Sequence, residues 1–281
     1  MVWENALELI RSSIGERGYY LWNRSFTDFV KEYKIPAGQK APFYLSLDFY
    51  SQQRPELTER GLYVIRFGQG NFGIFDKTVY PKPYLELKTE EAERISLTNY
   101  SSYEAMKKAF SIVDRDLSAA EDTLLEPCRF HGVFQKILEA FGESEYQIGP
   151  RGLFYSRFPL FFKRVNGDST RFGYDGQVEL DFSVWTENRV LVFEAKSLTR
   201  GGLDIGWHKL VFPSQRFASI GGEHLKINPV YFLRKRDSEG NRIMIYLFPE
   251  ISFKEGGVVL NDEACWKPLR VWSVDLDSLR V

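Results

Sequence analysis

Two acids and one lysine occur where two apolar segments of the sequence follow each other. Asp181 lies within QVELDFSVW, and the apolar run RVLVF is followed by Glu194 and Lys196. Because side chains alternate across a strand, Glu194 and Lys196 share one face. The tight turn TEN predicts antiparallel pairing of the two segments, which would bring Asp181 to the same side of the sheet. Two carboxylates and an ammonium group are costly to bury without a counter-charge. Carboxylate oxygens are hard ligands, which suit Mg²⁺ or Mn²⁺.

This arrangement resembles the signature of the PD-(D/E)xK nuclease superfamily, which includes many restriction endonucleases and Holliday-junction resolvases. The signature has an acid on one strand and (D/E)-x-K on the next, as Asp181 and Glu194-Ala195-Lys196 stand here. The resemblance covers roughly residues 128–250 and does not extend to the N-terminal part. Leu180 stands where the signature usually has a proline.

The resemblance implies a Mg²⁺-dependent deoxyribonuclease in which Mn²⁺ can substitute. Asp181, Glu194 and the backbone carbonyl of Ala195 would bind the metal. Glu179 shares the face of Asp181 by alternation and is an additional metal-ligand candidate. Lys196 would position or help to deprotonate the attacking water and stabilise the phosphate. The alternative is a surface hairpin with an ordinary Glu–Lys pair, because (D/E)-x-K occurs by chance in most proteins.

A helix is predicted before these strands. Apolar residues recur in RFHGVFQKILEAFG with the spacing of one helix face, and Gly142 follows the expected end. In the superfamily, this helix often has the form G-x-x-F-E, and Gln135 stands at the position of the glutamate. The resemblance therefore gives Gln135 a part in the catalytic site, either orienting a water or ligating through its carbonyl.

Cations and aromatic residues alternate in the segment that follows Lys196. Arg200, Lys209, Gln215 and Arg216 could contact DNA phosphates near the cut. An amphipathic helix with solvated cations is the alternative. A helix is expected over PSQRFASIGG, with its proline near the start.

The fold class predicted from the order of helices and strands is mixed α/β, or α+β. Residues 121–281 are expected to form a restriction-endonuclease-like core, in which helices flank a mixed central sheet. Residues 1–120 are expected to form an N-terminal α+β region. There, Arg24 and Lys31 near Trp22 could form a DNA-recognition surface. An aromatic-rich structural region is the alternative.

A glycine motif in the N-terminal region suggests a nucleotide site that its context does not support. FGQGNFGIF satisfies G-x-G-x-x-G, but the residues after it are strand-like, whereas a dinucleotide fingerprint opens a helix. The kinase elements HRD and DFG do not occur downstream. We therefore expect a glycine-containing hairpin turn and no nucleotide cofactor.

Composition limits the remaining function classes. The formal net charge of −1 excludes a global basic field, so DNA binding requires a local patch. The three histidines form no zinc motif, and Cys128 and Cys265 are expected to be reduced thiols of a cytoplasmic protein without a membrane span. The prediction is a type II restriction-like endonuclease that acts on DNA, with a homodimer as a further expectation. The alternatives are a structure-specific repair or junction nuclease and a non-catalytic DNA-binding protein that retains the fold.

Overall fold

A computed structural model describes residues 2–34, 41–45, 47–88, 92–95, 122–198, 203–221, 224–237 and 240–275. The helices are α1 Val2–Arg17, α2 Phe26–Glu32, α3 Ala41–Leu45, α4 Pro55–Thr58, α5 Asp122–Phe130, α6 Val133–Glu139 and α7 His208–Gly221. The strands are β1 Tyr19–Trp22, β2 Leu62–Gly68, β3 Asn71–Asp76, β4 Tyr84–Glu86, β5 Glu93–Arg94, β6 Gln147–Ile148, β7 Gly152–Lys163, β8 Ser169–Leu180, β9 Phe182–Trp185, β10 Arg189–Leu198, β11 Asp204–Gly206, β12 Lys226–Asp237, β13 Gly240–Leu247, β14 Phe253–Lys254, β15 Gly257–Val259 and β16 Arg270–Asp275. The predicted boundary at residue 120 lies outside the described residues.

The largest sheet is mixed and has the strand order β5-β16-β13-β12-β10-β9-β6. Its centre combines parallel pairing of β10 with β12 and antiparallel pairing of β10 with β9. A second sheet has the order β14-β15-β7-β8, and β1-β3-β2 and β11-β4 form two smaller ones. The mixed α+β class is therefore confirmed. In the described part of the chain, no helix is long and apolar enough to cross a membrane.

Helices cover both faces of the largest sheet at β10. Leu191 and Phe193 pack in one core with buried residues of α5 and α6. Val190 and Val192 point to the other face and pack with Phe217 of α7. A strand that is buried on both faces must be apolar along its whole length, which explains the run RVLVF.

Two predicted helices differ from the observed ones. The helix predicted over RFHGVFQKILEAFG is broken, because Gly132 takes φ 79° and separates α5 from α6. Its apolar spacing still marks the buried face of α6. Helix α7 begins at His208, so Pro213 lies inside it and not near its start. A proline there removes only the hydrogen bond to the carbonyl of Lys209, and the buried apolar face of α7 maintains the helix.

The N-terminal region has a small core of its own and shares a larger one with the rest of the chain. Trp3 and Phe29 pack together in the small core. In the shared core, Phe75 of β3 stacks on Phe162 of β7 with ring centroids 4.7 Å apart. Strand β4 also pairs with β11, which comes from the second half of the chain. The two halves of the sequence are thus joined by packing and by backbone hydrogen bonds.

The glycine motif forms the turn between β2 and β3, as predicted. Gln69 and Gly70 take φ 47° and 82°, so the chain reverses there and opens no helix. Gly68 approaches β8 so closely that a Cβ built on it would lie 2.1 Å from the carbonyl oxygen of Asp175. The glycines therefore serve the turn and its contact with β8.

Candidate active site

Asp181 lies where the chain passes from one sheet to another. Strand β8 ends at Leu180 in the four-stranded sheet, and β9 begins at Phe182 in the seven-stranded sheet. The single strand predicted over QVELDFSVW is therefore wrong. The physical reason is that Leu180 packs with Val192 on the α7 side, whereas Phe182 packs with Phe134 on the α6 side. The chain must turn between them, and the residue at the turn is Asp181.

The carboxylate of Asp181 bonds to the backbone of β10. Its Oδ2 accepts the N–H of Ala195 at 2.8 Å, beyond the last ladder pair between β9 and β10, Phe182 with Phe193. In a strand, the N–H and C=O of one residue point to the same neighbouring strand. The carbonyl of Ala195 is therefore directed to the edge where Asp181 lies.

Glu194 and Lys196 form a buried ion pair next to Asp181. The Nζ of Lys196 lies 3.0 Å from Oε1 of Glu194, and the two residues are only 7% and 3% exposed. Burial raises the pKa of the Glu194 carboxyl to about 8, and the charge of Asp181 adds to this shift, whereas Lys196 and Lys209 oppose it. Burial therefore disfavours the charged form of Glu194, and an added positive charge nearby would favour it.

A second ion pair joins this cluster from the N-terminal half. The Nζ of Lys209, in the first turn of α7, lies 2.6 Å from Oδ1 of Asp48. Burial alone would lower the pKa of Lys209, but Glu194 and Asp48 outweigh it and raise the pKa above its ordinary value. Burial alone would raise the pKa of Asp48, but Lys209 and Lys196 lower it. The two ion pairs therefore act on each other as one charged cluster.

Backbone hydrogen bonds hold Asp48 at this place. Its carbonyl accepts the N–H of Gly206 at 2.7 Å, and its own N–H donates to Oε1 of Gln52 at 2.8 Å. The sequence analysis missed Asp48. No local pattern in FYLSLDFY marks it, because its partner Lys209 is distant in sequence and is brought near by the hydrogen bond between the Asp48 carbonyl and Gly206.

The structure joins some of the predicted residues and separates others. Asp181, Glu194, Lys196 and Lys209 belong to the cluster. Gln135 lies on α6, on the face of β10 opposite to the Val192 side. Neither the side chain of Gln135 nor that of the exposed Glu179 makes a hydrogen bond or ion pair with another described residue. The roles predicted for these two residues remain predictions.

Of the three other residues that were predicted to contact DNA, Gln215 and Arg216 lie within the described part of the chain. Gln215 is buried, and its Nε2 donates to the carbonyl of Gly256 at 2.7 Å, which ties α7 to the turn before β15. Arg216 is exposed, and its guanidinium lies 5.9 Å from the ring centroid of Phe154. Arg200 lies outside the described residues.

Three oxygen donors are available to the divalent cation that the resemblance implies. The carboxylates of Asp181 and Glu194 and the carbonyl of Ala195 are hard oxygen donors at one strand edge, so they fit Mg²⁺. Within the described ranges, no group of three His, Cys, Asp or Glu side chains has the arrangement of a metal site. The fit therefore depends on two carboxylates and one carbonyl.

Comparisons of this chain with protein-family models, with curated proteins and with solved structures found no match.

Proposed function

We propose that this protein is a Mg²⁺-dependent deoxyribonuclease that hydrolyses DNA phosphodiester bonds, of the type II restriction-endonuclease kind. One observation carries the proposal: the Asp181 carboxylate binds the N–H of Ala195 beside the buried Glu194–Lys196 pair. The surrounding order of elements supports a restriction-endonuclease-like core. Helices α5 and α6 precede the β9–β10 hairpin, and α7 and β12 follow it.

The acids would bind the metal, and the lysines would act on the attacking water and the phosphate. Asp181, Glu194 and the carbonyl of Ala195 would bind Mg²⁺, or Mn²⁺ in its place. When bound, the ion lowers the pKa of water and offsets negative charge on the phosphate. The proposal assigns no role to Gln135 in holding the ion, because no contact joins it to the cluster.

In the proposed reaction, Lys196 would act on the attacking water. Its ammonium group is fixed by Glu194 and has little freedom in this buried position. A positioned cation at this point can orient the water and stabilise the charge that develops on the phosphate during attack. Lys209, fixed by Asp48, supplies a second positive charge to the same cluster.

A plasmid-nicking assay tests the proposal. The wild type is incubated with supercoiled DNA and Mg²⁺, Mn²⁺ or chelator, beside Asp181→Ala and the control Glu187→Ala. Glu187 is an exposed acid in the turn of the same hairpin. We expect cleavage with either metal, none with chelator, and a loss of at least about a hundredfold in Asp181→Ala alone. Absence of nicking under every condition would contradict the proposal.

The preferred DNA substrate distinguishes a restriction-type endonuclease from a structure-specific repair or junction nuclease. Linear duplexes and branched or mismatched duplexes of equal length are compared under the same conditions. Preference for one duplex sequence supports a restriction-type enzyme. Preference for branched DNA, whatever its sequence, would instead support a structure-specific nuclease.

A further inference from the structure

A cleft along β4 is lined by the residue types of an anion-binding site. It has a volume of about 950 Å³ and lies between β4 and the segment 263–268. Buried Tyr84, Leu85 and Leu87 contribute apolar lining, and the half-buried ring of Trp266 lines the cleft as well. Such a surface can pack against flat apolar groups.

Lysines give this cleft an excess of positive charge. Four lysines line the cleft, together with two acids, Glu86 and Glu263. None of the four lies within ion-pair distance of a carboxylate in the part of the chain that the structure describes. The lysines are Lys77, Lys82, Lys88 and Lys267. In a chain whose net charge is −1, this local excess is the kind of patch that a polyanion would need.

We propose that this cleft binds a single strand of nucleic acid. The lysines would contact successive phosphates, and the ring of Trp266 with the apolar lining would receive unstacked bases. This combination of a basic groove and an aromatic surface is typical of proteins that bind single strands without sequence preference. An acidic peptide would satisfy the lysines but would leave the aromatic and apolar lining without a matching partner.

The position of the cleft relates it to the charged cluster. Tyr84 lines the cleft, and its ring contacts the ring of His208, with centroids 6.1 Å apart. His208 precedes Lys209 in α7, so Tyr84 connects the cleft lining with the neighbour of the Asp48–Lys209 pair. A nucleic-acid strand held in the cleft would thus have neighbouring phosphates near the cluster. The binding itself requires neither metal nor hydrolysis, so it goes beyond the proposed function.

Binding in chelator tests this proposal separately from catalysis. Fluorescence anisotropy of a labelled oligothymidylate is measured with the wild type, the double variant K82Q/K267Q and the control K136Q/K226Q over a range of salt concentrations. Each pair removes the same charge, and neither Lys136 nor Lys226 lines the cleft. We expect K82Q/K267Q to weaken binding at least about tenfold. The slope of log affinity against log salt should fall by about 1.4, since each single-strand phosphate contact contributes about 0.7.

Three outcomes would overturn the proposal. The first is that K82Q/K267Q binds with the affinity and salt slope of the wild type. The second is that the control pair weakens binding equally, which would indicate a general charge effect. The third is that polyglutamate competes for the wild type as well as unlabelled oligothymidylate does, which would make the cleft a site for acidic peptides. Absence of nuclease activity with intact, cleft-dependent binding would contradict only the proposed function.

Discussion

The ammonium group of Lys209 lies 2.6 Å from the carboxylate of Asp48, and this contact connects the N-terminal half of the chain to the charged cluster around Glu194. Neither residue is close to the other in sequence. The pair forms because the backbone carbonyl of Asp48 accepts the N–H of Gly206, just before α7 begins. The candidate active site is therefore assembled from both halves.

Asp48→Asn should lower both stability and cleavage. The change leaves the half-buried Lys209 facing an amide, so we expect a loss of about 1–3 kcal/mol in the free energy of unfolding, measured with urea. DNA cleavage should fall by at least about tenfold, because Lys209 loses the group that fixes it. Glu32→Gln breaks an exposed pair with Arg24 and is the control, with an expected loss below about 1 kcal/mol. Equal losses in both variants would contradict a structural role of Asp48 at the site.

Mg²⁺ should stabilise the wild type through Asp181. A ligand that binds only the folded state raises the melting temperature with its concentration. We expect Mg²⁺ to raise the melting temperature of the wild type and of Glu187→Gln, and chelator to reverse the effect. Asp181→Asn should show no such increase. An identical Mg²⁺ response in Asp181→Asn would place the bound ion elsewhere.

Stability should depend on pH through His208. Burial lowers the pKa of this histidine to about 3 from its ordinary value of 6.5. The unfolded chain therefore binds a proton that the folded chain does not, so stability falls as pH falls below about 6.5, by up to about 1.4 kcal/mol per pH unit. His208→Phe preserves a ring against Tyr84 and Phe212 and should flatten this dependence between pH 7 and 5. The exposed His224, changed to Phe, should leave it intact; equal flattening in both would refute the assignment.

Gly68→Ala should lower the free energy of unfolding more than Gly167→Ala does. Both glycines have φ 94°, so a side chain at either position is strained by about 1–2 kcal/mol. At Gly68 the new Cβ would also meet the carbonyl of Asp175, whereas at Gly167 no atom lies within 4 Å. We expect an additional loss of about 1–3 kcal/mol in Gly68→Ala by urea unfolding. Equal losses in the free energy of unfolding would mean that the β2–β3 turn is not in close contact with β8.

The sequence predicted those parts of the structure that local pattern controls. The β9–β10 hairpin and the shared face of Glu194 and Lys196 follow from alternation and a tight turn, and the structure contains them. Asp48 could not be found in this way, because its position depends on a hydrogen bond to Gly206, which is distant in sequence. The break at Gly132 was also missed, since apolar spacing continues across it. The change of sheet at Asp181 depends on which core each neighbouring residue joins, which no periodicity encodes.

The aromatic stack between Phe75 and Phe162 has a consequence for dissecting this protein. A fragment that begins at residue 122 would expose the Phe162 ring to water and remove Asp48 from Lys209 at the same time. Such a fragment should be poorly soluble and inactive even if β10 kept its place. Moving the C-terminal half alone into another protein would therefore not transfer the proposed cleavage activity.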